Sequence, residues 1–348
     1  MSIEMAEPPP VNYRSLFIFF GYLSLVAYFI LQCCHTIYLR YRARQRENSW
    51  SSPRRQAQFF LFVLLAALSI GTTWYYMINL FLYSYRTWAA STEGQTYSAA
   101  DVPLAVRMGL WLNKTYIFQE AWETVSATPT RFWWSGQIFG WTIGWSLFLA
   151  VGGRRYRIPS VWVYMLLGQA VSVSFAANLF FVAITVSRQP NERDVAFAWH
   201  PPLLYELVPV AVSLLITVAV PVFAYDKGFM LVLMSPHFLV FIPCLLGPGR
   251  SSSAPSQSQA HRNTWRYVTF MQWVAAASVV LQAYLTVLMI QYIGPDVPYA
   301  KVVQELLDTL YAHPACSSVS WDVIMCGVSA LFWGLVHGFD PSQMVGGR

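Results

Sequence analysis

Long apolar stretches are the feature that most constrains how this chain can fold. About eight of them reach the ~20 residues that an α-helix needs to cross the hydrocarbon core of a bilayer. Only 11% of the 348 residues are charged, whereas a soluble domain has about 25%. The sequence therefore predicts an all-α, polytopic helical bundle in the membrane, formed as one domain over residues 1–348. The expected spans are 16–39, 57–85, 132–151, 161–186, 203–224, 229–246, 268–292 and 319–336.

Clusters of arginine between these stretches predict how the chain is oriented. Cytosolic loops of membrane proteins carry an excess of Lys and Arg, and six arginines lie in the segment 40–55, after the first expected span. A second cluster, Arg154, Arg155 and Arg157, follows the third span. We therefore expect both clusters in the cytosol and a lumenal N-terminus. In this topology the Ser-, Pro- and Gln-rich loop 247–266, which we expect to be flexible, has its arginines on the lumenal side, against the bias.

The stretch 107–123 is too polar for a lipid-facing span. Read at a helical period, it has two chemically different sides. We expect this amphipathic helix to be lumenal, re-entrant or buried against the bundle, without a full crossing. The alternative is an interfacial helix whose acids face water. The polar side holds Asn113, Tyr116, Glu120 and Glu123, and the opposite side holds Trp111, Phe118 and Trp122.

The expected topology collects acidic side chains at the lumenal side. Carboxylates in a bilayer are costly unless they are paired, protonated or in contact with water, and buried ones can act as general acids near neutral pH. A reaction that starts by protonating an apolar substrate needs such an acid, a water-poor pocket and aromatic walls that stabilise a cation. The collected residues are Glu120, Glu123, Asp194, His200, Glu206, His337 and Asp340.

Motifs of several other chemistries are missing from the sequence. The five cysteines show neither metal-site spacing nor a disulfide framework, and there is no Gly-rich phosphate loop, HExxH box or GxSxG elbow. No aspartate-rich pair has the spacing that binds a diphosphate. We therefore expect no metal and no other cofactor. The formal net charge of +6 indicates attraction to anionic lipid headgroups and not nucleic-acid binding.

The segments Asn113-Lys-Thr-Tyr-Ile-Phe-Gln-Glu-Ala-Trp-Glu123 and Arg131-Phe-Trp-Trp-Ser-Gly136 resemble the fungal membrane-bound terpene cyclases of ascofuranone- and ascochlorin-type meroterpenoid pathways. The resemblance rests on residues 107–151 and on overall hydropathy. It implies an enzyme of fungal secondary metabolism, in the endoplasmic reticulum membrane, that cyclises an epoxidised farnesyl chain carried by an aromatic polyketide. The family's reaction is triggered by acid protonation of the epoxide and needs no metal.

Carried onto this chain, the resemblance makes Glu120 and Glu123 the candidate catalytic acids. Asn113 and Gln119 become candidate hydrogen-bonding partners in the substrate site. Tyr116 is a further substrate-binding candidate because it shares the polar side of the expected helix.

Aromatic residues of other spans are expected to shield the cation. Because Trp122 lies opposite the acids, we expect it to pack into the bundle away from the substrate. The aromatic candidates for contact with the substrate are Trp133, Trp134 and Phe180. Three polar residues are substrate-binding candidates only through their expected lumenal placement, namely Asp194, His200 and Glu206.

Two other functions remain open from the sequence. A transporter or receptor of a small hydrophobic ligand would use the same pocket without chemistry, with the carboxylates as a proton relay. A sterol-isomerase-like enzyme or lipid-binding scaffold would also hold an acid against an apolar ligand. The expected partners are a prenylated aromatic epoxide and the lipid bilayer, and a pathway enzyme could also associate with other membrane enzymes of its pathway.

Overall fold

The chain is an all-α bundle, as the sequence predicts. The computed structural model describes residues 9–47, 52–98, 102–188, 203–245 and 257–340, and no strand occurs in these ranges. Several helical segments are long and apolar enough to cross a membrane, judged by length and composition. In the described part of the chain they are Tyr13–Arg46, Pro53–Ala90, Leu204–Phe223, Trp265–Ile293 and Pro314–Val336.

The helices vary widely in length, and three long ones begin with a proline in the first turn, where its missing N–H costs nothing. In chain order the helices are α1 (Tyr13–Arg46), α2 (Pro53–Ala90), α3 (Thr92–Tyr97), α4 (Leu104–Lys114), α5 (Ile117–Ser126), α6 (Pro129–Tyr156), α7 (Val161–Ala170), α8 (Val173–Val186), α9 (Leu203–Ala219), α10 (Phe229–Leu239), α11 (Phe241–Leu245), α12 (Gln257–Ile293), α13 (Tyr299–Tyr311) and α14 (Pro314–Val336).

Helices α2 and α14 pack antiparallel and define the two ends of the bundle. Near the start of α14 and the middle of α2, Ser318 Oγ donates to the carbonyl of Thr73 at 3.1 Å. At one end, Arg54 Nη2 donates to the carbonyl of Val336 at 2.6 Å. We call this end, which also carries the arginines that close α1 and α6, the arginine end. The prediction that His337 lies on the lumenal side is therefore wrong, because His337 follows Val336 directly.

The predicted span 161–186 does not cross the bundle. Arg40 Nη1, near the end of α1, donates both to the carbonyl of Tyr156 at 3.2 Å and to Ser187 Oγ at 2.7 Å. The residues just before α7 and just after α8 thus lie together at the arginine end. With 10 and 14 residues, the two helices are roughly 15 and 21 Å long. They form a re-entrant hairpin that goes into the bundle and comes back.

The turn of this hairpin is a local break that hydropathy does not reveal. Val171 leaves the helical region with φ −123° and ψ −70°. Ser172 is fully extended, and its side chain caps α8 by accepting from the N–H of Phe175 at 3.2 Å. The prediction of one span was wrong because the residues on both sides of Ser172 are apolar. Hydropathy therefore does not show that Ser172 is the N-cap of a second helix.

The hairpin reverses the direction of the helices that follow it. Near the start of α9, Glu206 Oε1 pairs with Arg154 Nη1 at 2.7 Å, so α9 starts at the arginine end and runs antiparallel to α6. Helices α10 and α11 run back alongside α6, with Cys244 Sγ placed 3.7 Å from the carbonyl of Ser146. The sequence predicts the opposite directions for these segments. The described helices make seven passages between the two ends, by α1, α2, α6, α9, α10 with α11, α12 and α14.

The reversed direction of these helices removes the conflict between the positive-inside bias and the arginines that the sequence places on the lumenal side. Trp133 Nε1 donates to Thr286 Oγ1 at 2.9 Å, and Gly140 faces Ser278, so α12 is antiparallel to α6. The start of α12, with Arg262 and Arg266, therefore lies at the arginine end. These arginines now obey the positive-inside bias together with the earlier clusters.

The stretch 107–123 is two helices and not one. Thr115 is extended, with φ −116° and ψ 142°, and Tyr116, the residue before α5, is also outside the helical region with φ −106° and ψ 58°. The break separates Asn113 and Tyr116 from the helical side that holds Glu120 and Glu123, so the prediction of one continuous polar face is wrong. With 11 and 10 residues, neither α4 nor α5 is long enough to cross a bilayer.

Candidate active site

A cavity of about 470 Å³ lies between the helices of the bundle, at the turn of the re-entrant hairpin. Helices α1, α2, α5, α6, α10 and α14 surround it together with the ends of α7 and α8. Its volume falls in the range of about 300–1,000 Å³ that holds small organic ligands. The lining is mainly aliphatic and aromatic. Its aromatic members are Tyr22, Phe118, Trp122, Phe139, Phe238 and Phe241.

Asp322, on α14, is the carboxylate in the wall of this cavity. The residue is 7% exposed, and both of its oxygens receive hydrogen bonds. Oδ1 accepts from Ser172 Oγ at 2.8 Å and from the N–H of Ser174 at 2.9 Å, and Oδ2 accepts from the N–H of Val173 at 2.8 Å. The carboxyl group therefore caps the N-terminus of α8 from a different helix.

The start of α8 suits a group that alternates between an acid and its anion. Buried charge is expensive unless hydrogen bonds and nearby charge compensate for it. The first N–H groups of a helix carry a partial positive charge and have no partners within the helix. Once Asp322 releases a proton, two of these N–H groups and the hydroxyl of Ser172 are already in place to stabilise the carboxylate. Such preorganised donors need no rearrangement during a reaction.

The other side of the hairpin turn is fixed by Tyr22. Its hydroxyl donates to the carbonyl of Ala170 at 2.6 Å. Because Ala170 is the last residue of α7, its carbonyl oxygen has no N–H group within the helix to accept from. Tyr22 and Asp322 thus hold the irregular backbone between α7 and α8 from two sides. Few other polar groups face the cavity, and Gln169, Thr142 and His237 are among them.

Helix α5 turns its aromatic side to the cavity. Phe118 and Trp122 line it, and the ring of Trp122 lies 5.7 Å from that of Phe139. Trp122 packs into the bundle as predicted, and there it also lines this cavity. Glu120 and Glu123 are not part of the lining.

The two predicted acids have local partners on α5. Glu120 is exposed, and its Oε1 accepts from the N–H of Tyr116 at 3.0 Å. Glu123 Oε1 accepts from Gln119 Nε2 at 2.8 Å. Asn113, like Tyr116, is exposed. Of the two predicted hydrogen-bonding partners, Gln119 thus contacts an acid, and neither acid is part of the cavity wall.

The three aromatic candidates from other helices have structural contacts. Trp133 bonds to Thr286 as described above, and Trp134 Nε1 donates to the carbonyl of Leu306 on α13 at 3.0 Å. Phe180 is fully buried between other rings. None of the three lines the cavity.

The remaining candidates were predicted from their placement. Glu206, expected near Glu120, is instead fully buried against Arg154 at the arginine end. The reversal of α9 is the reason for this difference. Asp194 and His200 lie outside the described residues.

Asp322 and His237 are the residues that the sequence reading missed. A usable signal was present, since ionisable side chains within apolar spans are functional candidates by default. Asp322 lies within the candidate span Pro314–Val336, and His237 within the apolar segment Phe229–Leu245. Within the described ranges, no group of three His, Cys, Asp or Glu side chains could hold a metal ion.

A second cavity, of about 560 Å³, lies between α6, α8, α12 and α14. The described residues that line it include neither a carboxylate nor an imidazole. The first cavity is therefore the better candidate for chemistry. No protein family model, curated protein or solved structure matches the chain.

Proposed function

We propose that this chain is a membrane-bound terpene cyclase that protonates and cyclises an epoxidised farnesyl chain on an aromatic group, without a metal. The observation that carries the proposal is Asp322 at the wall of an aromatic cavity, with its oxygens on the N-terminus of α8. The sequence resemblance to the fungal cyclases supports the same reaction class. The endoplasmic reticulum membrane is the location that this family implies.

In the proposed reaction, the neutral carboxyl group of Asp322 delivers its proton to the epoxide oxygen. The C–O bond breaks as a carbon–carbon double bond of the prenyl chain attacks, which closes a ring and leaves a carbocation. The carboxylate left behind keeps its bonds from Ser172, Val173 and Ser174. General acid catalysis of this kind contributes about 10²–10⁴-fold to a rate.

The walls of the cavity suit the carbocation. Each aromatic ring face that meets a cation stabilises it by about 0.5–2 kcal/mol, depending on how far the site is desolvated. Trp122 and Phe139 lie side by side in this wall. The scarcity of polar side chains also keeps water from trapping the cation before the rings have closed.

The prediction that Glu120 or Glu123 delivers the proton stays in competition with Asp322. Their placement outside the cavity wall favours Asp322 as the donor. Replacing each carboxylate separately by its amide distinguishes the two assignments, because an amide cannot deliver the proton.

A transporter or receptor of a small hydrophobic ligand is the second candidate. One observation favours it: broken helices whose ends meet inside a membrane bundle commonly form the binding sites of transporters. The α7–α8 hairpin has this arrangement. A transporter would move its ligand across a vesicle membrane unchanged, whereas a cyclase would convert it.

The experiment is to incubate membranes that contain the protein with a farnesyl-phenol that carries a terminal epoxide. We expect a cyclic product of the same mass as the substrate, formed equally in the presence of EDTA. Membranes from the same host without the protein are the control. Recovery of unchanged epoxide would contradict the proposal, and loss of conversion in EDTA that magnesium restores would contradict the metal-free mechanism.

A further inference from the structure

His237 is held in the cavity wall with a defined arrangement of its two ring nitrogens. Its Nδ1 lies 3.0 Å from the carbonyl oxygen of Leu233, one helical turn earlier. A carbonyl oxygen can only accept a hydrogen bond, so Nδ1 carries the proton in this arrangement. In the neutral ring, Nε2 then has a free lone pair and is a proton acceptor.

Two aromatic rings fix the orientation of the imidazole. The centroid of the Trp122 ring lies 5.5 Å from that of His237 at an interplanar angle of 87°, and the Phe139 ring lies 5.5 Å away at 78°. All three residues line the same cavity as Asp322. A cation formed near these rings is therefore close to a base.

The acid and the base of this cavity are on different helices. In the described structure, three titratable side chains line it: the carboxyl group of Asp322, the imidazole of His237 and the phenol of Tyr22. Tyr22 is engaged with Ala170, and the oxygens of Asp322 are engaged by residues 172–174. Separate groups for protonation and deprotonation are what a cyclisation that starts and ends with a proton transfer requires.

We propose that Nε2 of His237 takes the proton that ends the cyclisation, which makes the product an alkene. A C–H bond beside the final carbocation breaks, its electron pair forms the new double bond, and the proton goes to Nε2. Asp322 has given one proton and His237 has taken one, so the product is an isomer of the substrate in which the epoxide oxygen has become a hydroxyl group. The imidazolium and the carboxylate return to their starting states by exchange with water after product release. This inference rests on the proposed cyclase function.

The test uses His237→Phe, which keeps an aromatic ring but removes the base. With the farnesyl-phenol epoxide as substrate, we expect consumption to stay within about tenfold of the unchanged protein, because Asp322 still starts the reaction. The fraction of alkene should fall at least fivefold, replaced by products in which water or the phenol oxygen has trapped the cation. His237→Gln is the second variant if the Phe variant does not fold, and thermal stability in detergent monitors folding in both.

An unchanged alkene fraction in a folded variant would overturn the assignment, and so would complete loss of epoxide consumption. Consumption of the epoxide by the unchanged protein tests the proposed function separately. A further readout does not need turnover: farnesyl-phenol without the epoxide should slow modification of His237 by diethyl pyrocarbonate at least threefold. Modification of His313, which caps α14 outside the cavity lining, should not change. Equal modification of His237 with and without farnesyl-phenol would place the imidazole away from the ligand.

Discussion

Separating Arg154 from Glu206 should destabilise the protein strongly. The two side chains are 4% and 0% exposed, and their closest atoms are 2.7 Å apart. Removing one partner of such a pair deprives a buried charge of the opposite charge that it contacts, which costs about 3–5 kcal/mol. Glu206→Gln and Arg154→Met should each lower the free energy of unfolding by about this amount, measured by SDS titration in mixed micelles. The double variant Arg154→Met with Glu206→Leu should recover most of the loss, because an apolar pair of similar volume is often neutral.

An exposed ion pair provides the matched control. Lys114 Nζ lies 3.2 Å from Glu93 Oε2, but the two side chains are 48% and 38% exposed. Lys114→Met should therefore cost about 0–1 kcal/mol. Two results would refute the interaction between Arg154 and Glu206. One is a loss of less than about 1 kcal/mol in each single variant, and the other is a loss in the double variant that equals the sum of the two single losses. The direction of α9 would then lose its main support.

Three further predictions concern the cavity wall, the hairpin and pH. Trp122→Leu should change the proportions of cyclic products and slow epoxide consumption, because one ring face that stabilises the cation is lost. Both are measured by chromatography and mass spectrometry, and unchanged proportions would place the indole away from the cation. In a cysteine-free background, Arg188→Cys and Arg46→Cys should react with an impermeant thiol reagent from the same side of sealed vesicles, and Thr92→Cys from the other side. Labelling of Arg188→Cys together with Thr92→Cys would mean that α7 and α8 cross after all. Burial lowers the pKa of His337 below its usual value of 6.5. As the pH falls, the imidazole therefore takes up a proton in the unfolded chain before it does so in the folded protein. The stability that the neutral, buried imidazole contributes is fully present above about pH 6.5 and is lost as the pH falls below that value. Between pH 7 and 5.5, the midpoint temperature of thermal unfolding in detergent should therefore fall less for His337→Gln than for the unchanged protein. Equal decreases of the two midpoint temperatures would contradict the assignment.

The helical class and most helix positions could be predicted from the sequence because they depend on local composition. A run of apolar residues about 20 long predicts a helix in a bilayer whatever it packs against. Local breaks were harder to see. The turn at Val171 and Ser172 has no Gly or Pro at the turn itself, and the break at Thr115 and Tyr116 separates two short amphipathic helices.

The site depends on contacts between residues that are far apart in the chain. Asp322 meets Ser172 across 150 positions, and Arg154 meets Glu206 across 52. Sequence periodicity gives which residues share a side of α5, but not which side faces the cavity. Both sides of that helix carry residues that a bundle could use, and the contacts of Trp122 with Phe139 and His237 decide the matter.

The most direct test of the proposed mechanism compares three single amide substitutions in one assay. Asp322→Asn, Glu120→Gln and Glu123→Gln are expressed side by side, and epoxide consumption by equal amounts of folded protein is measured. Asp322→Asn should lower the rate by about 10²-fold or more, since the amide cannot deliver the proton. It should also lower thermal stability, because the amide nitrogen of Asn cannot accept a hydrogen bond in the place of one carboxyl oxygen at the start of α8. The two Glu variants should retain near-normal rates. A folded Asp322→Asn protein that consumes the epoxide normally, or loss of activity in Glu120→Gln or Glu123→Gln alone, would contradict Asp322 as the acid.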